Sequence, residues 1–183
     1  MKKQTRTTRK IREEVLNQYK QKPVEDITIK DVCAALSIPR TSFYYHYDSI
    51  RAVLQEIGEE FILGLEKVYD ARKIREYLRV DRVKFLGMIE ATKDYLYAHY
   101  DMLEAFLVLR PYSEFRQNWL EAMRPHYPKN APYDDLKTEI LVESLIVLFT
   151  YAISNHIEKE RVHPEKLMSF LLPLFDNVSS IIY

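Results

Sequence analysis

The stretch IPRTSFYYHYDS, residues 38–49, places two kinds of surface side by side. Arg40, Thr41 and Ser42 are a cation followed by two hydroxyls, and such a run is unusual in a buried core. The next five residues, 43–47, are four aromatic rings and an imidazole, which are too apolar for a plain solvated loop. The segment therefore fits a surface that packs on the protein at its back and contacts a partner at its front.

Two short helices are predicted around this segment, over residues 28–36 and 39–47, with a turn of about three residues between them. Thr28 suits an N-cap, and Pro39 suits the first helical position, where its missing N–H is not needed. Longer helices are predicted before and after the pair. This arrangement indicates a helix-turn-helix, whose second helix lies in the major groove of DNA.

A helix-turn-helix accounts for the mixed composition of the segment. Phe43 and Tyr47, at positions i and i+4, share a helix face and are expected to pack into a small core. That core is predicted to include four more apolar side chains: Val32, Leu36, Ile38 and Leu54. Arg40, Thr41 and Ser42 lie in the first turn, where arginine and hydroxyl groups can contact base edges.

The residues TIKDVCAALSIPRTSFYYHYDSIRAVL, 28–54, resemble the DNA-binding head of the TetR family of transcriptional regulators. The family pattern is roughly T-x-x-x-I-A-x-x-A-G-V-S-x-G-T-F-Y-x-H-F-x-x-K-x-x-L, and the likeness covers about residues 8–55. Eight residues are DNA contacts by this resemblance or by their neighbouring position: Thr28, Lys30, Arg40, Thr41, Ser42, Tyr44, His46 and Arg51. Thr28 has the alternative role of a helix cap alone, Lys30 that of a solvated charge, and Tyr44 and His46 that of partly buried surface rings.

Two positions depart from the family pattern. Ser37 stands where glycine is common, and a side chain there costs about 1 kcal/mol if the turn needs a positive φ. Ile50 stands where a phosphate-binding lysine is common, and Arg51 is expected to replace that contact only in part. The departure at Ile50 keeps open an alternative in which the protein is an adaptor that binds a protein partner instead of DNA.

Charge is unevenly distributed along the chain, although the net charge is zero. Residues 1–51 hold eleven Lys or Arg against six Asp or Glu, which leaves +5 there and −5 in the remainder. The first twelve residues hold six cations and no anion, and residues 1–8 are expected to form a flexible basic arm. We expect cations of residues 2–12 to add minor-groove or phosphate contacts, with a merely solvated basic tail as the alternative.

The whole chain is predicted to be all-α, with about nine helices. Apolar residues recur at helical spacing, and the three glycines are too few for a sheet with tight hairpins. We expect a DNA-binding domain over residues 1–50 and a regulatory and dimerisation domain over 51–183. A long fourth helix, about residues 48–70, is expected to join them.

Two helices near the C-terminus, about residues 134–159 and 164–182, are apolar almost all round and therefore need cover on every side. We expect them to form a four-helix bundle in a C2 homodimer, as the resemblance also implies. Seven residues are predicted at the interface: Leu141, Leu145, Leu148, Ala152, Phe170, Leu174 and Val178. The alternative is that both helices lie in the core of one chain.

A helical stripe of mostly aromatic residues is the candidate for a ligand pocket. Its members are Phe85, Met88, Thr92, Tyr95, His99, Met102 and Phe106, with Phe115 and Trp119 expected to close over it. Tyr112, Tyr151 and His156 are further candidates. Plain core is the alternative for the whole stripe, and the resemblance implies a small-molecule inducer of unknown identity.

The remaining patterns argue against other classes of protein. The sequence contains no P-loop, HExxH, GxSxG or dinucleotide fingerprint, so we expect no enzyme, no catalytic residue and no cofactor. Cys33 is the only cysteine, and the acids and histidines over residues 156–163 fit no standard metal site. No apolar segment follows the basic N-terminus, so we do not expect it to act as a signal peptide, and the most apolar run, residues 140–153, is too short to span a membrane. The sequence thus predicts a cytoplasmic DNA-binding transcriptional regulator, a dimeric repressor released from a palindromic operator by a ligand.

Overall fold

The structure is a computed structural model, and it describes residues 5–68, 82–123, 143, 146–148 and 150–157. All regular secondary structure in these residues is helical, and the predicted all-α fold is confirmed. Five of the seven residues predicted at the dimer interface lie outside the described residues: Leu141, Leu145, Phe170, Leu174 and Val178.

The head, residues 5–49, holds three helices: α1 (Arg6–Gln21), α2 (Ile29–Leu36) and α3 (Arg40–Tyr44). A 3-10 turn, Val24–Asp26, separates α1 from α2. Thr5 caps α1 by accepting the N–H of Thr8, because β-region Thr at the N-cap satisfies a free helical donor. The expectation of a flexible arm through residue 8 is therefore wrong for residues 6–8, which are already helical.

Helix α3 is shorter than the sequence predicted. Pro39 is its N-cap and not its first residue, and residues 45–46 form a turn after it. The aromatic residue that follows the turn, Tyr47, is buried again. The N–H of Tyr47 still donates to the Phe43 carbonyl at 2.9 Å, which keeps Tyr47 beside Phe43 after the helix has ended.

The head core is made by one stripe from each helix. Phe43 and Tyr47 lie at its centre, with ring centroids 6.1 Å apart. The surrounding buried side chains come from α1, from α2 and from the long helix that begins at Ile50: Ile11, Val15, Tyr19, Val32, Cys33, Ile50, Val53 and Leu54. Leu36 and Ile38 pack against this core while partly exposed, so the small core predicted around Phe43 is confirmed.

Helix α4 (Ile50–Val68) joins the head to the rest of the chain. Ser49 caps it, because its Oγ accepts the N–H of Ala52 at 3.1 Å. The first half of α4 packs in the head core, and its second half is buried against later helices through Phe61, Ile62 and Leu65. One continuous helix thus fixes the distance between the two halves of the molecule.

The body consists of the second half of α4 and the helices that follow. These are α5 (Arg82–Ala98), α6 (Tyr100–Leu103) with a π-helical continuation (Glu104–Leu109), and α7 (Ser113–Met123). Residues 143, 146–148 and 150–154 are also helical. Helices α4 and α5 approach closely at Gly64, where a methyl group would overlap the hydroxyl of Tyr95. None of the helices in the described residues combines the length and apolarity needed to cross a bilayer.

Candidate nucleic-acid interface

Ser37 makes the turn between α2 and α3. Its φ of 54° and ψ of 41° lie in the left-handed region, where glycine is favoured, so the positive φ suspected from the sequence is present. The N–H of Ser37 donates to the carbonyl of Ala34, and the N–H of Ile38 donates to that of Cys33 at 3.0 Å. These bonds close the end of α2 and set the direction in which α3 leaves it.

A polar network behind α3 holds the segment on α4. The hydroxyl of Tyr47 donates to Glu56 Oε1 at 3.2 Å, and Arg12 of α1 contacts Glu60 at 2.6 Å and Glu56 at 3.6 Å. Burial raises the pKa of Tyr47, and the Glu56 carboxylate beside it raises it further, so the phenol stays protonated. α1, α4 and the residues that follow α3 are therefore connected through polar and charged groups as well as through apolar packing.

Arg12 does not belong to the basic arm, contrary to the sequence interpretation. Its side chain is only 13% exposed and is turned toward the Glu56 and Glu60 carboxylates. Burial works to lower its pKa, but the hydrogen bond and charge of Glu60 together raise it. Its charge is paired within the fold with Glu56 and Glu60, so we do not expect it to contact a phosphate.

The outer side of α3 presents the residues that the sequence assigned to DNA. Arg40, Thr41 and Tyr44 are exposed, and Ser42 and His46 are half-buried. Tyr44 is 56% exposed although its neighbour Phe43 is fully buried. A cation, two hydroxyls, a phenol and an imidazole thus lie on or beside one short helix whose back is fixed.

Tyr45 is the exposed ring that sequence reasoning missed. It is 81% exposed, and its ring meets that of His46 edge-on at 5.0 Å. The spacing of the buried rings predicts this exposure, because helical geometry that buries Phe43 and Tyr47 points the residues between them outward. Tyr45 therefore extends the candidate interface beyond the end of α3.

At the start of α2, Thr28 is a helix cap. Its Oγ1 accepts the N–H of Asp31 at 3.1 Å, and the residue remains exposed. Capping uses the hydroxyl as an acceptor and leaves its proton free to donate to a phosphate, so the two roles are compatible. Among the described residues, Lys30 and Arg40 make no ion pair, which leaves both cations available to an anionic partner.

The start of α4 has Ile50 at the position where the family pattern has a lysine, and the neighbouring Arg51 is in an ion pair. Ile50 is 7% exposed and packs in the head core. Arg51 is exposed and contacts Glu25 at 2.5 Å, and Glu25 is itself exposed. A pair so accessible to water contributes at most about 1 kcal/mol, so a phosphate can compete with Glu25 for Arg51.

The predicted pocket residues are brought together, and their rings pack on one another. Phe61 of α4 lies against Tyr95, His99, Phe115 and Trp119, with ring centroids 5.3–5.7 Å apart. Three further contacts order the group: Phe106 meets Phe115 at 5.1 Å, the Tyr95 hydroxyl donates to the Phe61 carbonyl at 2.8 Å, and His99 Nδ1 donates to the Tyr95 carbonyl at 2.8 Å. Thr92 is buried nearby, while the side chain of Met88 lies outside the described residues. The arrangement is that of a close-packed aromatic core, and its use as a pocket stays a prediction.

An open cavity of about 570 Å³ lies beside this aromatic core. Phe106, Tyr112 and Tyr151 contribute rings to its wall, and Arg116 and Thr150 contribute polar groups. The Arg116 guanidinium is paired with Glu143, and the Thr150 hydroxyl donates to the carbonyl of Ile146. The hydrogen bond to Glu114, added to burial, raises the pKa of Tyr112 to about 12. Among the main pocket candidates whose side chains are described, only Phe106 lines this cavity, and so do the further candidates Tyr112 and Tyr151.

Two residues of the predicted dimer interface fall within the described part of the chain. Leu148 is half-buried, and Ala152 is buried within the single chain, which is the alternative that the sequence left open. Val147 and Tyr151, four residues apart on the same helical stretch, are 58% and 61% exposed. The exposed apolar side of this stretch is therefore rotated away from Ala152.

No protein-family model and no curated protein matches the sequence. Two solved structures resemble the fold over nearly its whole length. A transcriptional regulator of the TerR/AcrR family from Aquifex aeolicus VF5 has a TM-score of 0.57 at 18% identity, covering 94% of this chain and 99% of its own. A protein classed as a TetR-family transcriptional regulator, from Syntrophomonas wolfei str. Goettingen, has a TM-score of 0.62 at 14% identity, covering 95% of each chain.

Proposed function

We propose that this chain, which has the fold of TetR-family transcriptional regulators, is itself a sequence-specific DNA-binding transcriptional regulator. One observation carries the proposal. Phe43 and Tyr47 are buried, while Arg40, Thr41, Tyr44 and Tyr45 on the same segment are exposed. A short helix that is fixed from behind and polar in front is the form in which a reading helix enters the major groove.

The residues of the interface divide into base readers and phosphate contacts. Arg40, Thr41 and Ser42, at the start of α3, are proposed to contact base edges. An arginine guanidinium can donate two hydrogen bonds to guanine, and a hydroxyl can hydrogen-bond to more than one kind of base. Tyr44 and His46 are proposed to reach phosphates or a base edge. Thr28, Lys30 and Arg51 are proposed as phosphate contacts that position the head and carry no sequence information.

A single head reads few base pairs, so we propose that the protein acts as a homodimer on a palindromic operator. Two reading helices must then lie about 34–36 Å apart to meet successive major grooves. The apolar sequence near the C-terminus supports dimerisation, and residues 1–50 and 51–183 are proposed as its reading and regulatory domains.

Release from the operator by a small molecule is the finer part of the proposal. The cavity beside the aromatic core is within the 300–1,000 Å³ typical of ligand sites, and its wall is mostly apolar with a few polar groups. A molecule bound there acts as an inducer only if it favours one head arrangement over another. Such a regulator is expected in the cytoplasm, where its operator is.

A protein-binding adaptor is the second candidate. Ile50 is buried where a phosphate-binding lysine is common in the family, and the exposed rings of Tyr44 and Tyr45 are side chains enriched at protein interfaces. If the protein is an adaptor, it should show no appreciable DNA binding at any salt concentration.

The test is to select genomic DNA fragments with the purified full chain and to measure binding to the fragments recovered. We expect a palindromic site whose affinity falls about 10³-fold or more between 50 and 200 mM salt, because several phosphate contacts release counterions. Fragments without a shared sequence, or an affinity indifferent to salt, would favour the adaptor.

A matched pair of lysines sharpens the same measurement. Lys30→Ala removes a proposed phosphate contact, while Lys67→Ala removes an exposed cation at the far end of α4. We expect the first change to lower the slope of log affinity against log salt by about one and the second to leave it unchanged. Equal slopes for the two variants would remove Lys30 from the interface.

A further inference from the structure

The head and body meet at a second place besides the continuous helix α4. The π-helical segment Glu104–Leu109 of the body lies against α1 of the head. It ends at Arg110, whose N–H donates to the Ala105 carbonyl at 3.0 Å. Single π-helical turns are uncommon and occur frequently at functional sites.

Four polar contacts link the last turn of α1 to residues 101–110 of the body. The hydroxyl of Tyr19 donates to the Arg110 carbonyl at 2.9 Å, and Arg110 Nη2 donates to the Gln21 carbonyl at 3.1 Å. Lys20 Nζ lies 2.7 Å from Asp101 and 3.5 Å from Glu104. We name Tyr19, Lys20 and Arg110 together the head–body latch.

The latch is partly shielded from water. Tyr19 is buried, and burial raises the pKa of its phenol. Its ring meets Phe106 edge-on at 5.7 Å and Tyr112 at 6.4 Å. Lys20 and Glu104 are each 23% exposed on their side chains, so the ion pair between them is less screened than a surface pair, whereas Asp101 is exposed to water.

Two parts of α1 make different contacts. Near its middle, Arg12 contacts Glu56 and Glu60 of α4, and Glu56 in turn accepts the hydrogen bond of Tyr47. At its end, Tyr19 and Lys20 tie the same helix to the body. Helix α4 is packed in the head core at one end and in the body at the other, but a single helix can bend between the two, so the second contact restricts the orientation of the head further.

We propose that the head–body latch sets the orientation of the DNA-reading head, so that Tyr19, Lys20 and Arg110 are positioning residues for operator binding without touching DNA. This inference rests on the proposed function. A dimer binds a two-half-site operator tightly only when both heads are already held at the right spacing and angle, because ordering them on the DNA costs affinity. A single half-site makes no such demand.

The experiment compares two sets of substitutions that remove polar links and keep every ring. Tyr19→Phe, Lys20→Met and Arg110→Met together open the latch. Tyr97→Phe and Tyr100→Phe form the control, since those hydroxyls donate to the carbonyls of Ile157 and Ile153 within the body.

The first readout is the head-to-body distance, measured in the full chain between spin labels on cysteines placed at Asp26 and Glu121, with Cys33 replaced by alanine. Both labelled positions are exposed. We expect a broader distance distribution in the latch variant than in the control. Equal widths in the two variants would overturn the proposal.

The second readout is binding to the operator selected by the parent protein, and to a duplex carrying one half-site. We expect the latch variant to lose about tenfold in affinity for the full operator and to match the control on the half-site. An equal loss on both duplexes would mean a damaged head and would overturn the proposal, as would a gain in affinity.

Two further results keep the test decisive. If the triple variant does not fold, Tyr19→Phe alone is compared with Tyr100→Phe by the same readouts, with a smaller expected loss. If the parent binds no DNA, the proposed function fails, and the distance distributions still decide whether the latch orients the head.

Discussion

Two groups of aromatic residues in this molecule have similar composition and opposite surroundings. In the head, residues 43–47 are consecutive, and Phe43 and Tyr47 are buried while Tyr44 and Tyr45 are exposed. In the body, Phe61, Tyr95, His99, Phe115 and Trp119 come from three helices and the turn after α5, and their rings contact one another.

The difference comes from spacing. Consecutive residues on a helix point in different directions, so a run of rings in a five-residue helix and its turn cannot all be buried. Rings at intervals of three or four residues fall on one helix face and can all pack in a core. An aromatic cluster that is dense along the chain therefore indicates a surface, and one that is periodic indicates a core.

Substitution of the buried and exposed rings in the head gives the largest expected contrast. Phe43→Ala should lower the free energy of unfolding by about 4 kcal/mol, because it leaves a cavity in the head core. Tyr45→Ala should change stability by less than about 0.5 kcal/mol. Chemical denaturation of both variants measures this, and similar losses of stability would contradict the division into a fixed back and an open front.

The tight packing of the body is tested at Gly64. Gly64→Ala should cost about 2–3 kcal/mol, because the added methyl group displaces Tyr95 and breaks its hydrogen bond to the Phe61 carbonyl. Gly87→Ala is the matched control, since nothing lies within 4 Å of its added carbon, and it should stabilise the helix by up to about 1 kcal/mol. Thermal unfolding of the pair distinguishes close packing from a general intolerance of alanine.

The front of the reading helix is tested at Arg40. Arg40→Ala should weaken operator binding by about 1–3 kcal/mol and relax specificity at one base position, while stability stays unchanged. Binding to a library of operators with single-base changes measures both effects. Lys67→Ala is the control, because Lys67 is an exposed cation at the far end of α4, outside the proposed interface. A parent-like affinity in Arg40→Ala would mean that α3 does not enter the groove.

The smallest expected effect is at the turn that sets the direction of α3. Ser37→Gly should stabilise the head by about 0.5–1 kcal/mol, because glycine adopts a positive φ without steric cost. Ala35→Gly, at an exposed position inside α2, should destabilise it by about 1 kcal/mol. Denaturation curves of the two variants should therefore move in opposite directions.

Much of the head could be predicted from the sequence because its signals are local. Thr28 as the cap of α2, Ser37 at a positive φ and the shared face of Phe43 and Tyr47 each depend on residues a few positions apart. The body was less predictable, since the stripe that contains Thr92 and Tyr95 fits a lined pocket and a packed core equally well.

The partners of the charged residues show the limit most plainly. Arg12 was placed in a DNA-binding arm because it follows five other cations, yet Glu56 and Glu60 of α4 hold it in the fold. Arg51 was expected at a phosphate and contacts Glu25. Charge along the chain indicates the sign of a region, while the partner of each charge depends on how the helices are packed.

The sequence by itself determined the helical class, the place of the helix-turn-helix and which rings of residues 43–47 support it, since helical periodicity assigns faces locally. Only the tertiary structure decided that Tyr19 meets Arg110, 91 residues away, and that Lys20 meets Asp101, 81 residues away. Periodicity says which face of a helix is buried but not which element covers it, because that choice depends on the joint packing of all the helices.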